Sequence, residues 1–419
     1  MFKTVEEAIY YVEHIKRKDK RKDLSRIKYL LNLLNNPQND YKKIHIAGTN
    51  GKGATCEMIT SILYTKGYRV ARFVSPYILR FNERIVVNNK EIDDESLLNI
   101  INYLYPIINK YNTEFNDIVP FFEVVTLIGF IYFSQMKVDY AVIECGLGGL
   151  LDATNVINAS VSIITSIGYD HMNVLGNTLE KISLNKLGIV KENNHLITAV
   201  DKSLYSVFSN YCKTKNATVD FISILDKDIF SSFNGTKFRV DNEIYYTNLV
   251  GSFEALNAKL AIKACQFIDK SITKDIIDKA LSNIFWPGRM EVLSTNPLVI
   301  LDGGHNISAV DTVVNSLNKL SNIKYNVLYT GLSDKETDKV IKCLEKIANK
   351  IIITSIDDPR CKDINQLFNE VSIDKIKISN EFEAFDYAYN LNEPLLIIGS
   401  LHFVSSLRPY ILNKLKDIL

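Results

Sequence analysis

An α/β protein of two domains is the fold class predicted by three features of this 419-residue sequence. First, an apolar strand, a glycine-rich loop and an amphipathic helix follow one another in KKIHIAG and GATCEMITSILYTKG. Second, the strand pattern recurs in YRVARFVS, VDYAVIECG and VSIITSIG, with helical stretches such as FFEVVTLIGFIYFSQM between. Third, PLVILDGG, VLYTGL, IIITSID and PLLIIGS supply four more strands that alternate with helices. Short runs apolar along their whole length and separated by helices are the signature of parallel sheets.

The elements in order predict an N-terminal phosphate-loop-type domain over 1–295, with a mostly parallel sheet, and a C-terminal Rossmann-like α/β domain over 296–419. Between Phe221 and Leu249 the short runs FRV and EIYYTNLV predict a small antiparallel insertion, after which GSFEALNAKLAIKACQFID returns to helix. LSTNPL has the composition of a linker between the two domains. There is no internal repeat or low-complexity tract.

Composition narrows the function. At 47% hydrophobic residues the chain can build substantial cores, and 49 Lys+Arg against 48 Asp+Glu leave a formal charge of +1, which argues against nucleic acid as a partner. Six cysteines without C-x-x-C spacing read as free thiols in a reducing compartment. The opening stretch has no apolar signal core and no membrane-length run, so a cytoplasmic protein is expected. Its basic cluster KRKDKRKD reads as a solvated helix end rather than a binding patch.

The loop in IHIAGTNGKGAT departs from the usual phosphate-loop pattern twice, with Ile46 for the first Gly and Gly53 for the Mg²⁺-binding hydroxyl. Gly48, Gly51 and Gly53 around Lys52 keep it pliable and cationic. Any Mg²⁺ must therefore find oxygen elsewhere, and the carboxyl ends of strands are where open α/β sheets place ligands. Glu144 follows YAVI and precedes CGLGG, His171 follows SIGYD, and Ser75 follows a strand in VSP. Together they form an oxygen and nitrogen set suited to Mg²⁺; Ser75 alone reads as a helix cap, and for His171 the strand-end position favours a ligand over the hydrogen-bonded core residue that a histidine more commonly is. Lys186 in SLNKLG reads as an ordinary surface lysine. In the second domain Asp302 and His305 of DGGHN sit after a strand; Asp302 suits a ribose hydroxyl, and a helix N-cap by Asn306 explains the segment equally well. Arg289 in WPGRME can reach phosphate or brace the domains.

From about Asp23 to its end the chain resembles the folylpolyglutamate synthase/dihydrofolate synthase branch of the muramyl ligase superfamily. The resemblance is carried by HIAGTNGKGAT, SPYILRFNERI, FFEVVTLIGF, ECGLGGLLDATN, TSIGYDHMNVLGNTLEKISLNKLGIVK, FWPGRMEVL, LDGGHN and GSLHFV. It implies Mg²⁺, two ions in all, on Ser75, Glu144, His171 and Lys186, the last carbamylated by CO₂ and so not a surface lysine. It implies ATP contacts at Asn50, Gly51, Lys52, Gly53, Asn257, Arg289 and Asp302, with His305 close by, and a folate or pteroate site at Phe121, Phe122, Glu123, Leu150, Leu151 and Asp152. Phe121 and Phe122 read equally as core.

The implied reaction joins L-glutamate to dihydropteroate or to reduced folates through an acyl phosphate, releasing ADP and phosphate, with Lys52, Lys186, His171 and Glu144 as the catalytic set. A monomer with small-molecule substrates, no nucleic acid and no membrane is expected; a monovalent-cation requirement stays open. The alternatives are an amide ligase for another carboxylate and a non-catalytic ATP-binding homologue. Leu150, Tyr77, Phe253-Glu254 and Ala54 depart from the family's usual Arg, His, His-Gln and Ser.

Overall fold

The computed structural model describes residues 1–15 and 23–416; the basic run from Lys16 to Lys22 lies outside them. The chain forms two compact units, one of 1–223 with 257–280 and the other of 224–256 with 281–419. This division differs from a single cut at 295/296 by grouping 224–256 and 281–295 with the C-terminal part.

The first unit is built on eight strands: β1 (Lys42–Ala47), β2 (Val70–Phe73), β3 (Ile85–Val87), β4 (Lys90–Glu91), β5 (Tyr140–Glu144), β6 (Val161–Ile164), β7 (His195–Thr198) and β8 (Thr218–Phe221). Their order is β4-β3-β2-β5-β1-β6-β7-β8. β2, β5, β1, β6, β7 and β8 pair in parallel, while β3 and β4 add an antiparallel edge. The register sets Ile46 beside Glu144, Ala47 beside Ile164 and Phe73 beside Ile143, so four neighbouring strands end at one level. The loops that follow them are thereby brought side by side.

Helices cover this sheet for local reasons. The 94–115 helix starts where the Asp93 carboxylate accepts from Ser96 N at 2.8 Å, satisfying one of the first-turn donors. The helix Phe121–Gln135 is apolar on all sides and buried from Glu123 to Phe133, as a helix enclosed by other elements must be. Phe73, Phe130 and Phe133, each with no exposed surface, share its core with Ile85, Ile128 and Ile143.

In the second unit β9 (Ile229–Ser232), β10 (Gly235–Val240) and β11 (Glu243–Thr247) form the expected small antiparallel sheet. A six-stranded sheet comprises β12 (Glu291–Thr295), β13 (Leu298–Asp302), β14 (Tyr325–Tyr329), β15 (Ala348–Ile353), β16 (Lys375–Lys377) and β17 (Leu395–Ile398), in the order β12-β13-β17-β14-β15-β16. All its pairings are parallel except β12 with β13. That exception corrects the linker reading of LSTNPL. Thr295 pairs with Leu298, so Asn296 and Pro297 are the turn of a hairpin inside this unit; turn chemistry and linker chemistry use the same residues.

Among the described residues no helix is long and apolar enough to cross a membrane. The six cysteines are free thiols, five of them buried.

Candidate active site

β1 delivers the chain into Gly48-Thr49-Asn50-Gly51, and the helix Lys52–Lys66 begins at once. Gly51 is left-handed, with φ +83°, and a Cβ there would lie 2.4 Å from Asn257 Oδ1. Only glycine lets the loop lie against that buried carboxamide. At Gly48 a Cβ would fall 1.9 Å from Thr165 Oγ1. The loop is held by the segment after β6: Thr165 Oγ1 donates to Asn50 O at 2.6 Å, Ser166 Oγ accepts from Asn50 N at 3.0 Å, and Thr49 N donates to Ser166 O at 2.9 Å. Asn50, Gly51, Lys52, Gly53 and Asn257 are thus one neighbourhood, with first-turn N–H groups of the kind that bind anions.

Lys52 folds back over its own loop, its Nζ donating to Gly48 O and Thr49 O, each at 3.2 Å, and lying 3.9 Å from Glu144 Oε1. Glu144 ends β5 and is 5% exposed; a carboxylate this buried is costly unless countercharged. Ser75 N reaches Glu144 Oε2 at 3.4 Å, and Ser75 Oγ accepts from Arg84 Nη1 at 3.1 Å. Ser75 caps no helix; the strand-end geometry sends it across to β5.

Lys186 overturns the surface reading. It is 3% exposed, and its Nζ donates to Gly48 O at 2.8 Å. It lies in the last turn of the helix Leu179–Leu187, facing inward. Burial first, and then the positive charge of Lys52, lower its pKa to about 7, so the amine is available in its neutral form. His171 is not a core residue: its side chain is nearly half exposed, its φ is +48°, and Nε2 lies 3.9 Å from Asp170 Oδ1. The Asp170 charge acts in turn on Lys186.

Lys52, Glu144, Ser75 and Lys186 therefore meet around Gly48 at the carboxyl ends of β1, β2 and β5. Among the described residues no three His, Cys, Asp or Glu side chains gather as a metal cluster. A cation here would draw on the Glu144 carboxylate, the Ser75 hydroxyl and donors of other kinds.

In the second unit Asp302 ends β13, buried, with Oδ2 accepting from Met290 N at 2.8 Å and Oδ1 from Gly304 N at 2.6 Å. Burial raises its pKa and the Arg289 charge opposes that. His305 Nδ1 lies 3.1 Å from Gly303 O, and the Asn306 side chain accepts from Ala309 N at 2.8 Å, capping the helix Ile307–Leu320. The N-cap by Asn306 is real.

Residues 110–265 match the Mur ligase middle domain, and 288–400 match the Mur ligase, glutamate ligase domain. A Bacillus subtilis dihydrofolate synthase/folylpolyglutamate synthase is 35% identical over 404 residues, covering 92% of this chain and 94% of that one. Mycobacterium tuberculosis folylpolyglutamate synthase, solved with ADP, superposes with a TM-score of 0.91 at 25% identity, covering 97% of this chain and 98% of the other. Escherichia coli FolC, solved with DHPP and ADP, gives 0.85 at 25% identity over 98% of each chain. The chain belongs to the folylpolyglutamate synthase/dihydrofolate synthase family. Like the rest of that family it is an ATP-dependent, amide-forming ligase.

The residues expected on the acceptor side divide. Phe121 and Phe122 open their helix half-buried; Arg84 stands 5.3 Å over the Phe121 ring, and Phe122 packs beneath Gly146, where a Cβ would come within 2.5 Å of its ring. Glu123 is buried in an ion pair, with Arg26 Nε and Nη2 at 2.9 and 3.1 Å and the same guanidinium reaching Asp117. Leu150 and Leu151 are exposed on the GLGG turn, and Asp152 is buried behind them.

Sequence reasoning missed Thr165, Ser166, Asn185 and Asn155, which hold the two loops. Gly149 N donates to Asn185 Oδ1 at 3.1 Å and Leu150 N to Asn185 O at 2.8 Å, while Asn155 Nδ2 donates to Leu150 O and Gly188 O, each at 3.0 Å. The hydroxyls of TSIG directly after a strand were the available signal. Arg84, 6% exposed among three aromatic rings, was missed as well.

Proposed function

We propose that this ligase joins the amino group of L-glutamate to the carboxylate of dihydropteroate, of reduced folates, or of both, with ATP as co-substrate. The observation that carries this reading is the gathering of Lys52, Glu144, Ser75 and Lys186 around the glycine loop, in a chain whose relatives are folate ligases.

A carboxylate is a poor electrophile. The acceptor carboxylate attacks the γ-phosphorus of ATP, an O–P bond forms and ADP leaves; the glutamate nitrogen then attacks the acyl carbon, and phosphate departs as the amide forms. Both anionic partners of the first step need countercharge, and Lys52 at the start of its helix supplies it to the phosphates. The first-turn N–H groups of Gly51 and Gly53 orient the phosphate chain, and Asn257 beside Gly51 positions the nucleotide. In the second unit Arg289 is assigned to phosphate and Asp302, with His305, to the ribose.

Glu144 and Ser75 are oxygen donors of the type Mg²⁺ takes, which makes them a fit for that ion. Together with His171 they would hold it, and Lys186 would join as a carbamate. When bound, Mg²⁺ supplies charge neutralisation on phosphate oxygens. Lys186 is suited to carbamate formation by its place: a buried amine held by a carbonyl oxygen, not by a carboxylate. On the acceptor side Phe121, Phe122, Leu150 and Leu151 offer an apolar surface for a flat heterocycle, and Asp152 a hydrogen-bond acceptor. Glu123, paired with Arg26, acts by shaping this wall.

The test is ADP release from ATP, Mg²⁺ and L-glutamate with dihydropteroate and tetrahydrofolate supplied separately, with mass spectrometry of the products. A mass gain of glutamate on either is expected, and on which one fixes the branch; no gain on either while ATP binds overturns the assignment.

A further inference from the structure

We infer that His45 and Thr154 are positioning residues for the acceptor turn, holding the Asp152 carboxylate through a directed chain of hydrogen bonds that begins on the strand feeding the glycine loop. This rests on the reading that Leu150 to Asp152 meet the folate or pteroate acceptor.

His45 lies on β1 with no exposed surface, three residues before Gly48. Its Nε2 is 2.8 Å from Thr154 Oγ1, and Thr154 Oγ1 is 2.6 Å from Asp152 Oδ1. A threonine hydroxyl has one proton to give. The carboxylate at 2.6 Å takes it in preference to the Cys145 sulfur at 3.6 Å. The oxygen of Thr154 must then accept from His45, since a bare Nε2 lone pair would face it at 2.8 Å; this places the imidazole proton on Nε2, whose other neighbour, the buried Cys145 sulfur at 3.1 Å, is then a second acceptor. Two observations agree with this. Nδ1 of His45 is buried without a hydrogen-bond partner, as the bare lone pair of that tautomer would be. Burial also lowers the imidazole pKa to about 3, so the ring stays neutral.

The chain thus runs in one direction, from His45 Nε2–H to Thr154 Oγ1–H to Asp152 Oδ1. Thr154 N adds a bond to Oδ1 at 3.0 Å, and Leu147 N one to Oδ2 at 2.9 Å, closing the GLGG turn on the same carboxylate. One set of bonds therefore links the strand that presents ATP's loop to the turn that presents the acceptor. Such a link would hold the two substrates at reacting distance, a placement to which rates are sensitive.

Thr154→Val keeps the volume and removes the hydroxyl; Thr154→Ser keeps the hydroxyl. Steady-state kinetics with dihydropteroate and with tetrahydrofolate, beside thermal unfolding, should show Thr154→Val raising the acceptor KM about tenfold, the order of one hydrogen bond to a charged group. The KM for ATP should not change and Thr154→Ser should stay near wild type. His45→Leu should give the same rise, and no further rise when combined with Thr154→Val. Asp152→Asn is the control on the underlying reading. If it leaves the acceptor KM unchanged, the reading of the turn fails and the inference with it. If it raises that KM while Thr154→Val does not, or if Thr154→Val raises both KM values alike with a lowered melting temperature, the positioning role alone is overturned.

Discussion

Two turns in this molecule look alike in the sequence, each a strand end followed by glycine and polar residues, and the structure builds them differently. Around Gly48 the amines of Lys52 and Lys186 point at carbonyl oxygens of the loop, and Glu144 stands beside them with Lys52 at 3.9 Å. Around Asp302 the carboxylate receives two backbone N–H groups of its own neighbourhood, and Asn306 closes the next helix. The first turn concentrates ionisable side chains from several strands and helices; the second uses its carboxylate to hold its own shape. A strand-end position therefore names a candidate, and the partners of its side chains decide how much of it is left for a ligand.

That contrast orders the expected effects of mutation. Lys186→Ala and Lys52→Ala should lower turnover by roughly 10³-fold or more while circular dichroism and the melting temperature stay near wild type. Near-normal turnover in Lys186→Ala would remove the carbamate from the proposal. Asp302→Ala should register in stability, about 2 kcal/mol in denaturant unfolding, because two buried N–H groups lose their acceptor, as well as in a raised KM for ATP; unchanged stability would erase the contrast between the turns. Asn306→Ala should cost about 1 kcal/mol by loss of its cap and leave turnover unchanged. The smallest effect is expected from Leu150→Arg, an exposed change on the turn proposed to meet the acceptor: stability within about 0.5 kcal/mol of wild type, with the change confined to the KM of the acceptor.

Legibility followed the same division. The parallel strands, the glycine loop and the strand-end positions of Glu144, Ser75 and Asp302 could be read because apolar runs and glycine punctuation are local signals. Lys186 could not be read correctly from its own neighbours, since a lysine near the end of an amphipathic helix is ordinarily solvated, and only the packing of that helix against Gly48 buries it. Glu123 was grouped with its aromatic neighbours, yet its partner Arg26 comes from 97 residues earlier in the chain. LSTNPL failed for another reason: a hairpin turn and a linker share residues, and only the pairing of Thr295 with Leu298 tells them apart.

By itself the sequence determined the alternation of strands and helices, the cationic glycine loop and, through its ordered motifs, the family of ligases to which the chain belongs. Tertiary structure decided the distances and partners of the side chains that the motifs grouped. Strand order is not written in any one segment: β5 enters between β2 and β1 only when the sheet assembles, and that insertion brings Glu144 to Lys52 and Ser75. The depressed basicity of Lys186 and the bond between His45 and Thr154 likewise depend on burial and on partners distant in the chain, because solvation and hydrogen bonding respond to distance in space.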